Sequence, residues 1–68
     1  PGRAPVNALS YQQIIALQKI LQSKGYDVGD VDGKLGKATR DAVKQEQIKI
    51  GWPADSYPTV EFLQKLGG

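Results

Sequence analysis

Four glycines and three aspartates fall within residues 25–36, and this connector decides what the chain can become. Each interior glycine costs a helix about 1 kcal/mol, and aspartate competes for the backbone with its own carboxylate. No regular element can run through such a stretch, so the chain divides into one arm before it and one after. The first arm is punctuated at both ends. Ser10 followed by Gln13 makes a capping box, and Leu9 with Ile14 occupies the positions of a hydrophobic staple. Ile14, Leu17 and Leu21, with Ile20 beside them, recur at helical spacing and give one apolar face. Lys24-Gly25-Tyr26 then supplies a left-handed stop, with Tyr26 able to fold back on Leu21. A first helix over about residues 10–24 follows.

Past the connector, Gly36 is the expected N-cap of a second helix over about residues 37–50. Its expected core positions are Ala38, Ala42, Val43 and some of Ile48 and Ile50, and Gly51 ends it. A turn through Trp52 and Tyr57 leads to Pro58, expected at the first position of a short third helix, where a missing N–H costs nothing. Val60, Leu63 and Leu66, with Phe62, form the buried stripe of that helix, and Gly67 closes it. Val28, Val31 and Leu35 are the connector's aliphatic residues and are expected to pin it to the core. An internal echo pairs Gly25-Tyr26…Asp30 with Gly51-Trp52…Asp55, and Leu17-Gln18-Lys19-Ile20 with Leu63-Gln64-Lys65-Leu66. Shared capping chemistry accounts for it without a repeat array. No strand pattern competes. The fold class is all-α, a compact three-helix bundle with a long Gly/Asp-rich loop between helices one and two. Residues 1–8, with two prolines and a glycine, read as a linker or the edge of a longer chain; residues 9–68 read as one domain.

Composition narrows the chemistry. With no cysteine and no histidine among its 68 residues, the chain lacks the usual zinc ligands, cysteine nucleophiles and Ser-His-Asp triads. Glu46 and Glu61 sit on different helices and do not make the carboxylate pair that glycoside cleavage needs. A binding domain without catalysis or cofactor is expected. A calcium loop built on Asp30, Asp32 and Gly33 would need ligands where Val28 and Thr39 stand, so these aspartates are expected to shape turns. Nine Lys+Arg against seven Asp+Glu leave a formal +2, too little to argue for nucleic acid. No apolar run approaches the roughly 20 residues of a membrane span.

The entry to helix two breaks a local rule. Lys34, Lys37 and Arg40 surround a helix N-terminus, where each cation costs about 0.3–1 kcal/mol. Free N–H groups with two or three cations suit an anion; equally, the cations can pair with Asp27, Asp30, Asp32 or Asp41 or stay solvated. Tyr26, Trp52 and Tyr57 are the aromatic faces that could meet a sugar, with Tyr26 a capping contact whose hydroxyl is left for a ligand, and Trp52 a core residue. Lys37, Arg40 and Lys44 also share a helix face, which leaves a three-helix nucleic-acid binder as an alternative. Asp41 and Glu46 interrupt that face, and the long acidic loop replaces a tight helix-turn-helix turn.

The stretch LQKILQSKGYDVGDVDGKLGKATRDAV, residues 17–43, resembles the type 1 peptidoglycan-binding domain. The carrying features are a Leu-Gln helix, Gly-Tyr, Gly, Asp-Gly, an aliphatic residue with Gly, then Thr and Ala-Val. The tail GWPADSYPT is similar to the C-terminal copies of this domain in bacterial membrane-bound lytic murein transglycosylases. The resemblance implies a three-helix module that binds murein, glycan strand or stem peptide. It also implies attachment to a wall-cleaving catalytic domain and export to the periplasm or cell envelope, with the module itself monomeric, not inserted in a membrane and not bound to nucleic acid. The free carboxylates of stem peptides are the anions expected at Lys34, Lys37 and Arg40. The full expected ligand-binding set is Tyr26, Asp27, Asp30, Asp32, Lys34, Lys37, Arg40 and Tyr57. A docking module that packs on its own catalytic domain is a further alternative. One departure stands out: Glu46-Gln47 replaces the family's Phe-Gln or Tyr-Gln pair, so an aromatic plug gives way to a carboxylate, with Trp52 expected to fill the volume.

Overall fold

Ser10 caps the first helix as its sequence requires: its Oγ accepts from the Gln13 N–H at 3.2 Å, and its own N–H donates to Gln13 Oε1 at 2.8 Å. The helix so opened, α1, spans Tyr11–Ser23. A computed structural model of the chain describes residues 9–67 and adds two further helices, α2 over Lys37–Lys49 and α3 over Val60–Lys65. The linker expected at residues 1–8 lies outside the described residues. Gly36 is the N-cap of α2, as expected.

Both long helices end in the same way. The Tyr26 N–H donates to Leu21 O at 3.1 Å and the Gly25 N–H to Gln22 O at 3.0 Å, with Gly25 at φ 96°. At the end of α2 the Trp52 N–H donates to Gln47 O at 2.9 Å and the Gly51 N–H to Ile48 O at 3.1 Å, with Gly51 at φ 79°. These are two Schellman stops, each needing a left-handed residue that only glycine supplies without strain. Each one turns an aromatic ring back toward the core.

Leu17, Leu21, Val28, Ala42, Val43, Phe62 and Leu63 are buried and form one cluster. Helix α1 packs against both α2 and α3, which do not contact each other helix to helix. Trp52 bridges that gap, its ring 6.1 Å from Phe62 at a tilt of 58°. Burial of an aliphatic or aromatic side chain of this size contributes about 1.5–3 kcal/mol. Val28 is buried and pins the connector as expected, while Val31 and Leu35 are half-buried.

Two expectations need correction. Ala38 is exposed rather than in the core, whereas of the pair Ile48 and Ile50 it is Ile50 that packs on the core. Only one stripe of α2 is buried, and Thr39, Ala42, Val43, Glu46 and Gln47 occupy it. Pro58 is not the first residue of α3: Thr59 is the N-cap, its Oγ1 accepting from the Phe62 N–H at 3.1 Å, and Pro58 is buried ahead of it. A threonine cap satisfies an orphan N–H, which proline at the first position cannot do, and so it sets the helix start.

The buried stripe of polar residues organises the loops. Gln18 is fully buried; its Oε1 accepts from the Gly33 N–H at 3.0 Å, and its Nε2 faces Lys34 O and Thr39 Oγ1, each at 3.0 Å, and Asp32 Oδ1 at 3.3 Å. Asp32 Oδ1 also accepts from the Lys34 N–H at 2.9 Å. Gln47 repeats the device one helix later. Its Oε1 accepts from the Ser56 N–H at 3.0 Å, its Nε2 donates to Asp55 Oδ1 at 2.9 Å, and Asp55 Oδ1 accepts from the Tyr57 N–H at 2.9 Å. Gly33 at φ 75° and Ser56 at φ 63° are the matching left-handed residues. The echo in the sequence is therefore structural, but its partners are Asp32 with Asp55 and Gln18 with Gln47; Gln64 is exposed.

Backbone N–H groups, then a glutamine amide, hold the carboxyls of Asp32 and Asp55 below the ordinary value. A depressed folded-state value means that the stabilisation is present above the ordinary carboxylate pKa and is lost as pH falls through the folded one. The melting temperature should hold from neutral pH to about pH 4 and then fall. Asp32→Asn, which keeps an acceptor for Lys34, should flatten that acid limb in a series of thermal melts; an unchanged limb would contradict the role given to Asp32.

Gly33 carries a second constraint, because a Cβ there would overlap the Tyr11 ring that lies over it. Tyr11 is 58% exposed and can swing aside, so conformation dominates the expected cost of Gly33→Ala, about 1–3 kcal/mol in denaturant unfolding. Tyr11→Ala in the same background should recover little of it. Gly36 has an ordinary φ and open space around it, and Gly36→Ser should stabilise by a few tenths of a kcal/mol through a new cap.

Candidate ligand-binding site

With the connector held by Gln18, its first residues form one wall of a cleft whose other wall is α2. Tyr26 and Asp27 face Ala38, Asp41, Ala42 and Gln45 across a space of about 240 Å³. The tyrosine ring and two alanine methyls give it apolar surface, and two carboxylates and an amide border it. A second, more polar cleft of about 270 Å³ lies beside it, lined by Lys37, Arg40, Asp41 and Ser56. Asp41 belongs to both. Small-molecule pockets usually run to about 300–1,000 Å³, so each cleft takes one ring or one functional group of a larger ligand.

The expected residues divide between these clefts and the framework. Tyr26 and Asp27 line the first cleft; Lys37 and Arg40 line the second. Tyr57, 44% exposed, follows Ser56 at the second cleft and passes its carbonyl to Gln47 at 3.4 Å. Lys34 and Asp30 are exposed on the connector and line neither cleft. Asp32 spends its carboxylate on Gln18 and the Lys34 N–H, and Asp27 Oδ1 accepts from the Gly29 N–H at 3.0 Å. Lys37 pairs with Asp41 at 3.2 Å, one of the pairings open to it; both are exposed, and such a pair contributes little.

Tyr26 departs from its expected role. Its hydroxyl donates to Glu46 Oε1 at 2.8 Å instead of standing free. That hydrogen bond, then burial, then the Glu46 charge raise the phenol above its usual pKa, which keeps it a donor. Glu46 is 3% exposed, and its Oε2 lies 3.6 Å from Lys24 Nζ. The carboxylate in the family's aromatic position is therefore paired on both oxygens. Trp52 packs on the core against Phe62, half-buried.

Ala38, Asp41, Ala42, Gln45 and Ser56 complete the clefts and are absent from the sequence-derived set. Ser56 had a signal: Asp55 stands four residues ahead of a helix cap, as Asp32 does, and the residue after each aspartate is left-handed. Nothing comparable marks the alanines: Ala42 is core as expected, and Ala38 looks like a core position until the helix is rotated into place.

The comparisons agree with this architecture. Residues 10–66 match the family model described as a peptidoglycan binding domain. Among solved structures, SltB3 from Pseudomonas aeruginosa in complex with NAG-anhNAM-pentapeptide is 43% identical with a TM-score of 0.86, covering 100% of this chain and 19% of that one. SltB3 in complex with NAG-NAM-pentapeptide is 44% identical with a TM-score of 0.84, covering 97% of this chain and 18% of that one. This chain thus spans about a fifth of the length of those proteins. Among curated proteins none matches. With a family match running from the cap of α1 to the C-cap of α3, the chain belongs to the peptidoglycan-binding domain family.

Proposed function

We propose that this chain is a non-catalytic module that holds murein for a wall-cleaving catalytic domain, as part of a longer lytic transglycosylase exported to the periplasm or cell envelope. The observation that carries this reading is the likeness, over the whole chain, to one fifth of a protein whose complexes contain NAG-NAM and NAG-anhNAM pentapeptides. No helix among the described residues is long and apolar enough to cross a membrane. A monomer suffices, since both clefts are built from one chain.

On this reading the ligand lies across the face where the connector meets α2. Tyr26 and Asp27 receive a ring or acyl group against the alanines of α2, with Tyr57 at the far edge. Lys34, Lys37 and Arg40 receive stem-peptide carboxylates; arginine can bind one through two parallel N–H donors. Asp30, exposed on the connector, is left for a polar contact with the ligand, and Asp32 contributes through the loop geometry that it fixes. Each contact is weak alone, and tethering to a catalytic domain raises the effective concentration of substrate.

Charge reversal tests it. The variant Lys37→Glu/Arg40→Glu should stay folded, because both side chains are exposed. Its retention on purified sacculi should drop several-fold in a sedimentation assay and respond less to added salt. Unchanged retention would remove the anion-binding part of the proposal; loss of all binding only when the sacculi lack stem peptides would assign recognition to the peptide.

A further inference from the structure

Glu46 is a buried carboxylate in a domain with little core to spare, and binding by the exposed clefts makes no direct use of it. Burying an ion costs several kcal/mol before pairing, and a well-packed apolar side chain of similar volume is often no less stable. What the pairing fixes is geometry. Tyr26 and Asp27 make one wall of the first cleft; Ala38, Asp41, Ala42 and Gln45 make the other, on α2. Glu46 lies one helical turn beyond Ala42 and next to Gln45. Its 2.8 Å bond from the Tyr26 hydroxyl therefore ties the two walls together. Tyr26 is held at its other end as well, where its N–H donates to Leu21 O. Lys24, on the turn that closes α1, holds the second carboxylate oxygen, so Glu46 also joins the end of α1 to the cleft. The cleft is otherwise open, and no second side-chain hydrogen bond joins Tyr26 or Asp27 to α2 among the described residues.

We propose that Glu46 is a positioning residue for ligand binding: through the Tyr26 hydroxyl it sets the width of the cleft between the connector and α2. The inference rests on the reading of that cleft as part of the murein-binding face. Glu46 itself touches no ligand. A hydrophobic residue at this place would leave the Tyr26 ring free to tilt toward or away from the alanines, and the domain would keep its fold while losing affinity.

A double-mutant cycle in dissociation constants tests this, with NAG-anhNAM-pentapeptide as the probe and the 68-residue chain as the protein. Tyr26→Phe, Glu46→Leu and the double variant should each weaken binding about tenfold, with the double no worse than the singles, because both changes break one link. Glu46→Gln, which can still accept from the hydroxyl, should restore most of the affinity. Thermal melts separate this from unfolding: the double variant, with neither buried partner left unpaired, should melt no lower than Glu46→Leu alone. Losses that multiply in the double variant, or affinity unchanged in all three, would overturn the positioning role. Ala38→Trp, which fills the cleft from an exposed position, tests the underlying reading separately. If it leaves binding intact, the ligand does not use this cleft; if it abolishes binding while the cycle is silent, only the role of Glu46 falls.

Discussion

The side-chain amide of Gln18 is the interaction on which the rest of this domain depends. Fully buried on α1, it accepts from the Gly33 N–H and turns its two N–H donors to the Lys34 carbonyl, the Thr39 hydroxyl and the Asp32 carboxylate. Leaving a buried donor or acceptor unpaired costs about 1–3 kcal/mol, and a chain of this size has only about 3–5 kcal/mol of core stability to set against such losses. The connector of 13 residues between α1 and α2 is therefore tied to both helices through this one amide. Thr39 lies on the buried face of α2, so one glutamine sets both the path of the loop and its placement against the helix. The first cleft takes its geometry from that arrangement, and the second, through Ser56, from the matching clamp of Gln47.

Most of the fold was legible because it is written in local signals. The capping box at Ser10, the glycine stops at Gly25 and Gly51 and the N-cap at Gly36 each follow from backbone chemistry within a few residues. Apolar spacing identified Leu17, Leu21, Val43, Phe62 and Leu63 for the same reason. What sequence could not display was the polar interior. Gln18, Thr39, Glu46 and Gln47 look like surface residues until the loops that consume their hydrogen bonds are in place. The rotation of α2 about its axis depends on those four. Ala38 is accordingly expected inside and stands outside.

The candidate site was half legible. Cations at the start of α2 and an aromatic after a glycine stop are visible anomalies, and of these Lys37, Arg40 and Tyr26 line the two clefts while Lys34 and Trp52 do not. Apart from Asp41, the opposing walls come from small or neutral residues with no anomaly to show. The exchange of an aromatic for Glu46 was visible as a departure, but its consequence was not: the carboxylate does not vacate a volume so much as recruit Tyr26 and Lys24 to neutralise it. A tyrosine hydroxyl expected to face ligand is thereby turned into a strut. The repeated glutamine clamp has the same logic. Two loops of different length arrive at the same turn because each has a buried amide waiting to fix it.

The central claim is that the clamped connector and the adjoining face of α2 form one rigid murein-binding surface. The most direct measurement is a titration of the isotopically labelled chain with a disaccharide pentapeptide, followed by amide chemical shifts. Shifts concentrated at Tyr26, Asp27, the Lys37–Lys49 helix up to Gln45 and the turn at Ser56 and Tyr57 are the predicted result. Shifts confined to the outer side of α1, around Lys19 and Gln22, or no shifts at saturating ligand, would contradict it.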